Sequence, residues 1–167
     1  MDNYEIKVDG TPSQFEGGAI RYNKSKGRFD LIPMNVNRKL VEYVERVGDD
    51  GHSITKMELF KALSRTDADK YVELIRLISL HKYGEQGSTF SDVYPKMMLD
   101  LAIHFQKGAE KYGEHNCEQG IPMWSFLDSG TRHLMQYVNG NTDEPHFISA
   151  IWNFWMAEWT LIMDMGE

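Results

Sequence analysis

Apolar residues recur at helical rather than strand spacing through most of the chain. Over 35–47, Val36, Leu40, Tyr43, Val44 and Val47 share one face, which predicts a helix ending at the Gly48-Asp49-Asp50-Gly51 turn. Ser53 or Thr55 is placed to cap a second helix through Ser64. Thr66 or Asp67 is placed to cap a third, carrying Tyr71, Leu74, Ile75, Ile78 and His81. After a loop over 83–91, Asp92 opens a fourth helix with Pro95 in its first turn, and Met98, Ala102, Phe105, Ala109 and Tyr112 make its apolar stripe. A loop over 113–123 leads to a fifth helix from Trp124 to Val138, stopped by Asn139-Gly140. A sixth begins between Thr142 and Pro145 and runs to about Met163. No period-two alternation persists, so the expected class is all-α. Residues 17–33 have three glycines, four basic residues and no period. They read as an ordered arm closed by Pro33, after a loose lead-in over 1–16.

Composition narrows the classes. The 167 residues suit one domain with a sizeable core, and 41% hydrophobic residues argue against disorder. No apolar run approaches the roughly 18 residues of a membrane span, and the acidic, polar N-terminus has no signal-peptide core. A single cysteine, Cys117, excludes an intrachain disulfide and a Cys-rich zinc site, and a reducing cytoplasm is expected. With 18 basic and 25 acidic residues the net charge is −7, which disfavours nucleic acid as a partner. A helix-turn-helix over 53–81 is disfavoured for the same reason. Its Lys56, Lys61, Arg65, Lys70 and Arg76 are interleaved with Glu58, Asp67, Asp69 and Glu73.

Four groups of polar residues bear on chemistry. Arg21, Lys24, Lys26 and Arg28 against Asp30 give residues 21–30 a charge of +3 inside an acidic chain. Guanidinium and ammonium groups on a glycine-bearing loop suit phosphate oxygens, and a solvated arm paired with its own acidic body is the plainer reading. On the sixth helix Asp143, His146, Ala150 and Asn153 fall within an arc of roughly 80°, with Ala157 continuing it. A polar stripe on so apolar a helix needs partners: other side chains, or a divalent cation and ligand. Third, the fifth helix carries Asp128, Arg132 and His133, where Asp128 and Arg132 are spaced for an ordinary ion pair. The fourth carries His104, Lys107 and Lys111 on one side. Signatures for a serine nucleophile, a P-loop or a His-Glu-x-x-His metal site are absent.

The blocks GGAIRYNKSKGRFDLIP, HFQKGAEKYGEHN with QGIP, DSGTRH and DEPHFISAIWN, in that order, resemble the phage and bacterial dATP/dGTP diphosphohydrolase N-terminal family. That family is related to the MazG-like all-α nucleotide pyrophosphohydrolases. The resemblance covers 17–33 and about 96–160. It implies a MazG-like helical bundle forming one domain overall, with an arm over 1–33, a helical insertion over 34–90 and a core nucleotide- and metal-binding segment over 91–167.

The implied activity is hydrolysis of a (deoxy)nucleoside triphosphate, purine in particular, to monophosphate and pyrophosphate with Mg²⁺ or Mn²⁺. The implied setting is the cytoplasm of a bacterium or phage-infected cell. Carried over by block, Asp128, His133, His146 and Asn153 hold metal, and Asp143 and Glu144 orient or deprotonate the attacking water. Arg21, Lys24 and Arg28 hold phosphates, with Lys107, Lys111, Tyr112, Asn116 and Arg132 near the nucleotide. MazG-like enzymes carry Glu-x-x-Glu and then Glu-x-x-Asp. This chain has Glu42-x-x-Glu45 and no Glu-x-x-Asp, and Asn153 stands where an aspartate is expected. A nucleotide-sequestering or sensing protein on the same fold is therefore the alternative. The resemblance also implies a homo-oligomer, dimer or tetramer, in keeping with the apolar area of Trp152, Trp155, Trp159 and the nearby methionines.

Overall fold

The computed structural model describes residues 12–21 and 25–166; Lys24 and most of the expected lead-in lie outside the described residues. Two two-residue strands, β1 (Ser13–Gln14) and β2 (Ile20–Arg21), pair antiparallel near the start. Six helices follow: α1 (Met34–Val47), α2 (Lys56–Leu63), α3 (Lys70–Tyr83), α4 (Phe90–Tyr112), α5 (Met123–Val138) and α6 (His146–Asp164). The fold is an all-α bundle. Among the described residues no helix is long and apolar enough to cross a membrane.

Local signals explain the helix starts, and three of them differ from the spacing-based expectation. Thr55 caps α2, its hydroxyl accepting from Glu58 N while Glu58 reaches back to Thr55 N. The same reciprocal pair, Thr89 with Asp92, starts α4 two residues earlier than expected. Asp92 is therefore the inner member of the cap rather than the opener, and Pro95 lies in the second turn. The third helix starts at Lys70 rather than near Thr66 or Asp67. Asp67 is forked by Arg65 (2.8 and 2.6 Å) and accepts from Asp69 N, so this stretch closes as a turn. The sixth starts at His146, with Pro145 before it. Asp143 and Glu144 thus sit in the approach to the helix rather than on its face.

α6 is the centre of the bundle, packed against α5, α3, α4 and α1. Ile151, Phe154, Trp155 and Met156 are wholly enclosed, and truncating an aromatic so placed costs about 3–5 kcal/mol. α3 lies beside it, with Val72, Leu74, Ile75 and Ile78 buried and Lys82 exposed. The core runs without a break from Leu31 to Ile162. Residues 34–90 therefore fill the same interior as the helices that follow.

Trp155 is fully buried, and Trp152 and Trp159 pack partly against the core, so the chain covers the tryptophans of α6 itself. Among the large apolar side chains left exposed are Met57 on α2, Leu99 on α4, Trp124 and Met135 on α5, and Met163 and Met165 near the end of α6.

The arm is clamped to α4. Gly27 N donates to Gln106 Oε1 (2.8 Å) and Arg28 N to Ala102 O (3.0 Å). Gly27 has φ +95°, and a Cβ there would come within 2.8 Å of the Ala102 Cβ, so only glycine fits. Trp155 Nε1 then donates to Pro33 O at 3.1 Å, tying the arm's end to α6.

Candidate functional site

α5 and α6 approach closely because Gly130 removes a side chain from between them. A Cβ at Gly130 would stand 3.0 Å from both the Asn153 Cβ and the Phe154 ring. One turn along α5, His133 meets His146, the first residue of α6, with Nδ1 to Nδ1 at 2.9 Å. Glu144 Oε1 lies 3.4 Å from His133 Nδ1 and 3.5 Å from His146 Nδ1. Behind them His146 Nε2–H donates to Asp143 Oδ1 at 2.7 Å. That bond holds the Asp143 carboxyl below its ordinary range, and burial holds the His133 imidazole below the usual histidine value. His146 is 3% exposed, whereas the Glu144 side chain is half exposed. Among the described residues, His133, Glu144 and His146 form the one group of metal-ligating side chains whose donor atoms all lie within 4.8 Å of one another.

A cleft of about 620 Å³ is bordered by Asp143, Glu144 and His146, and two more, beside α4, adjoin this cluster. One, of about 560 Å³, runs between α4, α5 and α6 and is walled by Phe105, Ile121 and Trp152, with Tyr112, Asn116, His133 and Asn153 at its sides. The other, of about 530 Å³, is bordered by Lys107, Lys111, Tyr112 and Glu144. His104, Lys111 and Tyr112 belong to both. Each cleft is of a size that holds a small ligand, about 300–1,000 Å³. His104 packs on Trp152, and burial, helped by the nearby His133 and Lys107, lowers its pKa to about 4, so the ring enters neutral chemistry as a hydrogen-bonding group. Burial pushes the Cys117 thiol up to about 11, which removes it as a nucleophile near neutral pH.

The chain belongs to the dATP/dGTP diphosphohydrolase N-terminal family. Its sequence profile matches residues 79–166, from the last turn of α3 through α6, just over half of the chain. Comparison with curated proteins and with solved structures gives no match. The family segment contains both clefts except for Leu31, and it leaves the arm outside.

The structure brings some of the expected site residues together and separates others. His133, Asp143, Glu144 and His146 form one cluster, and Lys107, Lys111, Tyr112 and Asn116 line the clefts. Asp128 turns away and pairs with Arg132 on the exposed side of α5, five residues and roughly 140° around from His133. Asn153 is seven residues beyond His146, about 10 Å along α6. Its Nδ2 donates back to Ser149 O at 2.8 Å.

In the arm, Arg21 is exposed on β2. Arg28 forks onto Asp30 (2.8 Å twice) and reaches Glu114 at 2.9 Å, so that these carboxylates raise its pKa further. This is the pairing of the arm with its own acidic body. Ser129, Ser149 and Leu31 also line the first cleft. The four-residue spacing of Ser129 from His133 puts both on one helix face and marks Ser129 in the sequence. Ser149, three residues after His146 and four before Asn153, is marked in the same way, and nothing comparable marks Leu31.

Proposed function

We propose that this protein hydrolyses purine (deoxy)nucleoside triphosphates to monophosphate and pyrophosphate, with Mg²⁺ or Mn²⁺ accompanying the substrate. The observation that carries this reading is the cluster of His133, Glu144 and His146 beside clefts lined by Lys107, Lys111, Tyr112 and Asn116. The family's description, with dATP and dGTP in it, supports a purine base. A divalent cation, when bound, neutralises phosphate charge and acidifies water. The cluster offers one carboxylate oxygen and two imidazole nitrogens, which does not suit Mg²⁺, an ion that takes oxygen ligands. Mg²⁺ would therefore arrive on the triphosphate.

The chain's own residues divide the remaining work. Lys107 and Lys111 offset phosphate charge. Phe105, Ile121 and Trp152 give the base an apolar wall. Glu144, exposed and at the cluster's edge, orients the attacking water and accepts its proton, while Asp143 fixes the His146 ring. Arg21, Lys24 and Arg28 close on the phosphates, with Arg28 exchanging Glu114 for phosphate oxygens and Arg132 exchanging Asp128. Residues 1–33 then serve as the arm, 34–90 as support, and 91–167 as the nucleotide-binding segment of one domain. An oligomer, dimer or tetramer, is proposed through the apolar residues outside the core, Trp124 and Met135 among them.

The test is incubation with a panel of NTPs and dNTPs plus Mg²⁺ or Mn²⁺, with products separated by ion exchange. Monophosphate and pyrophosphate are expected, with purine deoxynucleotides fastest. Full rate in Asp143→Ala, Glu144→Ala and Asn153→Ala alike would move the site elsewhere.

Sequestration without turnover is the second reading. One observation favours it: the carboxylates lining the two clefts are Glu144 and Asp100, and Asp100 is taken by the Tyr83 hydroxyl. Intact nucleotide recovered with the protein would decide for it.

A further inference from the structure

The cluster's donor set differs from what a Mg²⁺-dependent hydrolase needs, and the difference is itself informative. Three atoms converge: His133 Nδ1, His146 Nδ1 and Glu144 Oε1, with edges of 2.9, 3.4 and 3.5 Å. An ion about 2.0–2.1 Å from each would see ligand–metal–ligand angles of roughly 90°, 110° and 115°. Those angles lie in the range of tetrahedral and five-coordinate sites, and three protein ligands leave a position open.

The tautomers agree. Asp143 is an acceptor, so His146 carries its proton on Nε2 and turns the Nδ1 lone pair toward His133 and Glu144. This is the carboxylate–histidine arrangement that orients a metal-bound imidazole. Without a metal, one proton on His133 Nδ1 bridges to His146 Nδ1 and leaves the third corner, Glu144, with no role in that bond.

Charge agrees as well. Glu144 and Asp143 together match a divalent ion. They also outweigh the roughly half positive charge that the N-terminus of α6 directs at the site.

We propose that His133, Glu144 and His146 form a site for a transition-metal ion of the Zn²⁺ or Co²⁺ kind, selected over Mg²⁺ by its two imidazoles, with Asp143 as the positioning residue for His146. This goes beyond the hydrolytic reading and does not need it, because the donors hold the ion whether or not nucleotide turns over.

The test is equilibrium dialysis of the purified chain against Zn²⁺ in the presence of a large excess of Mg²⁺, followed by metal analysis. Loading with Co²⁺ follows, read by visible absorption. About one Zn²⁺ per chain is expected to remain despite Mg²⁺, and bound Co²⁺ should show the intense bands of a four- or five-coordinate site. Asp143→Asn should weaken Zn²⁺ binding about 10–100-fold while keeping the three ligands. Glu144→Ala and His146→Gln should weaken it more. Glu144 is half exposed, so its variant keeps the test decisive if the buried His146 change fails to fold, as checked by circular dichroism.

Absence of Zn²⁺ from the wild type, or equal binding by wild type, Asp143→Asn and Glu144→Ala, would overturn the proposal. Zn²⁺ uptake without nucleotide hydrolysis would uphold the site and sink the hydrolytic reading. Hydrolysis with Mg²⁺ and no Zn²⁺ uptake would do the reverse.

Discussion

Two partly buried polar clusters in this molecule are built on opposite plans. Where α1, α2 and α3 meet, Glu73 is buried and accepts from the Tyr43 hydroxyl, from Arg65 Nη1 at 3.1 Å and from Arg76 Nε at 2.9 Å. Arg65 also donates from Nη1 to the Tyr43 hydroxyl at 3.2 Å and from Nε and Nη2 to Asp67. Every charge there has its partner within the chain, and Glu73 lines none of the clefts described above. Between α5 and α6, by contrast, two imidazoles and a carboxylate point at one another with too few protons among them, beside two clefts. A closed network fixes how helices sit, whereas an open one offers its lone pairs to something else. Burial of a charged group alone distinguishes neither.

The comparison is broken most severely by exchanging the behaviour of the two acids. Glu73→Ala leaves Arg76 without its carboxylate and Arg65 with that of Asp67 alone, and should cost about 3–5 kcal/mol in urea unfolding with hydrolysis per folded chain retained. Glu144→Gln should do the opposite, lowering the hydrolysis rate about a thousandfold and shifting stability by less than about 1 kcal/mol. If Glu144→Gln unfolds the chain and Glu73→Ala abolishes hydrolysis at full stability, the assignment of the two clusters is inverted.

Acid provides a second separation, because the clefts beside the open cluster hold a partly buried imidazole, His104, and the closed cluster has none. His104 is neutral in the folded chain down to about pH 4, but protonates near 6.5 once unfolded. The unfolded state therefore binds the extra proton, and stability falls as pH drops from about 6.5 to 4, by about 3 kcal/mol in all. In His104→Gln this part of the pH–stability curve should flatten. An unchanged curve would show that His104 titrates normally.

The smallest effect concerns how the open cluster is assembled. Gly130→Ala adds a methyl 3.0 Å from Asn153 and Phe154 and should destabilise by about 1–2 kcal/mol, despite the helix preference for alanine. Because α5 carries His133, hydrolysis should fall with it. Gly108→Ala on α4 meets nothing within 4 Å and should instead gain about 0.5–1 kcal/mol in thermal or urea unfolding. Equal stability of the two variants would mean that close contact at Gly130 does not hold α5 in place.

Much of the architecture was legible in the chain because helical signals are local. Of the stripe Val36, Leu40, Tyr43, Val44 and Val47, all bury as the spacing requires except Val47, exposed in the last turn of α1, and Thr55 and Glu58 announce α2 within four residues. The blocks HFQKGAEKYGEHN, DSGTRH and DEPHFISAIWN were enough to indicate the family. Which candidates would meet was not legible.

Periodicity fixes the side of a helix on which a residue stands, but not what that side faces. Asp128 and His133 were equal candidates on α5 until packing on α6 through Gly130 turned one inward and left the other with Arg132. The start of α6 at His146 placed Asp143 and Glu144 in a turn that folds back over the two imidazoles. Arg28 found Glu114, 86 residues away, only because the arm is clamped on α4. The helices and their faces thus follow from hydrogen bonds and apolar spacing within a few residues. The convergence of His133, Glu144 and His146 follows from the close approach of two helices, set by Gly130 against Asn153 and Phe154, which no local pattern encodes.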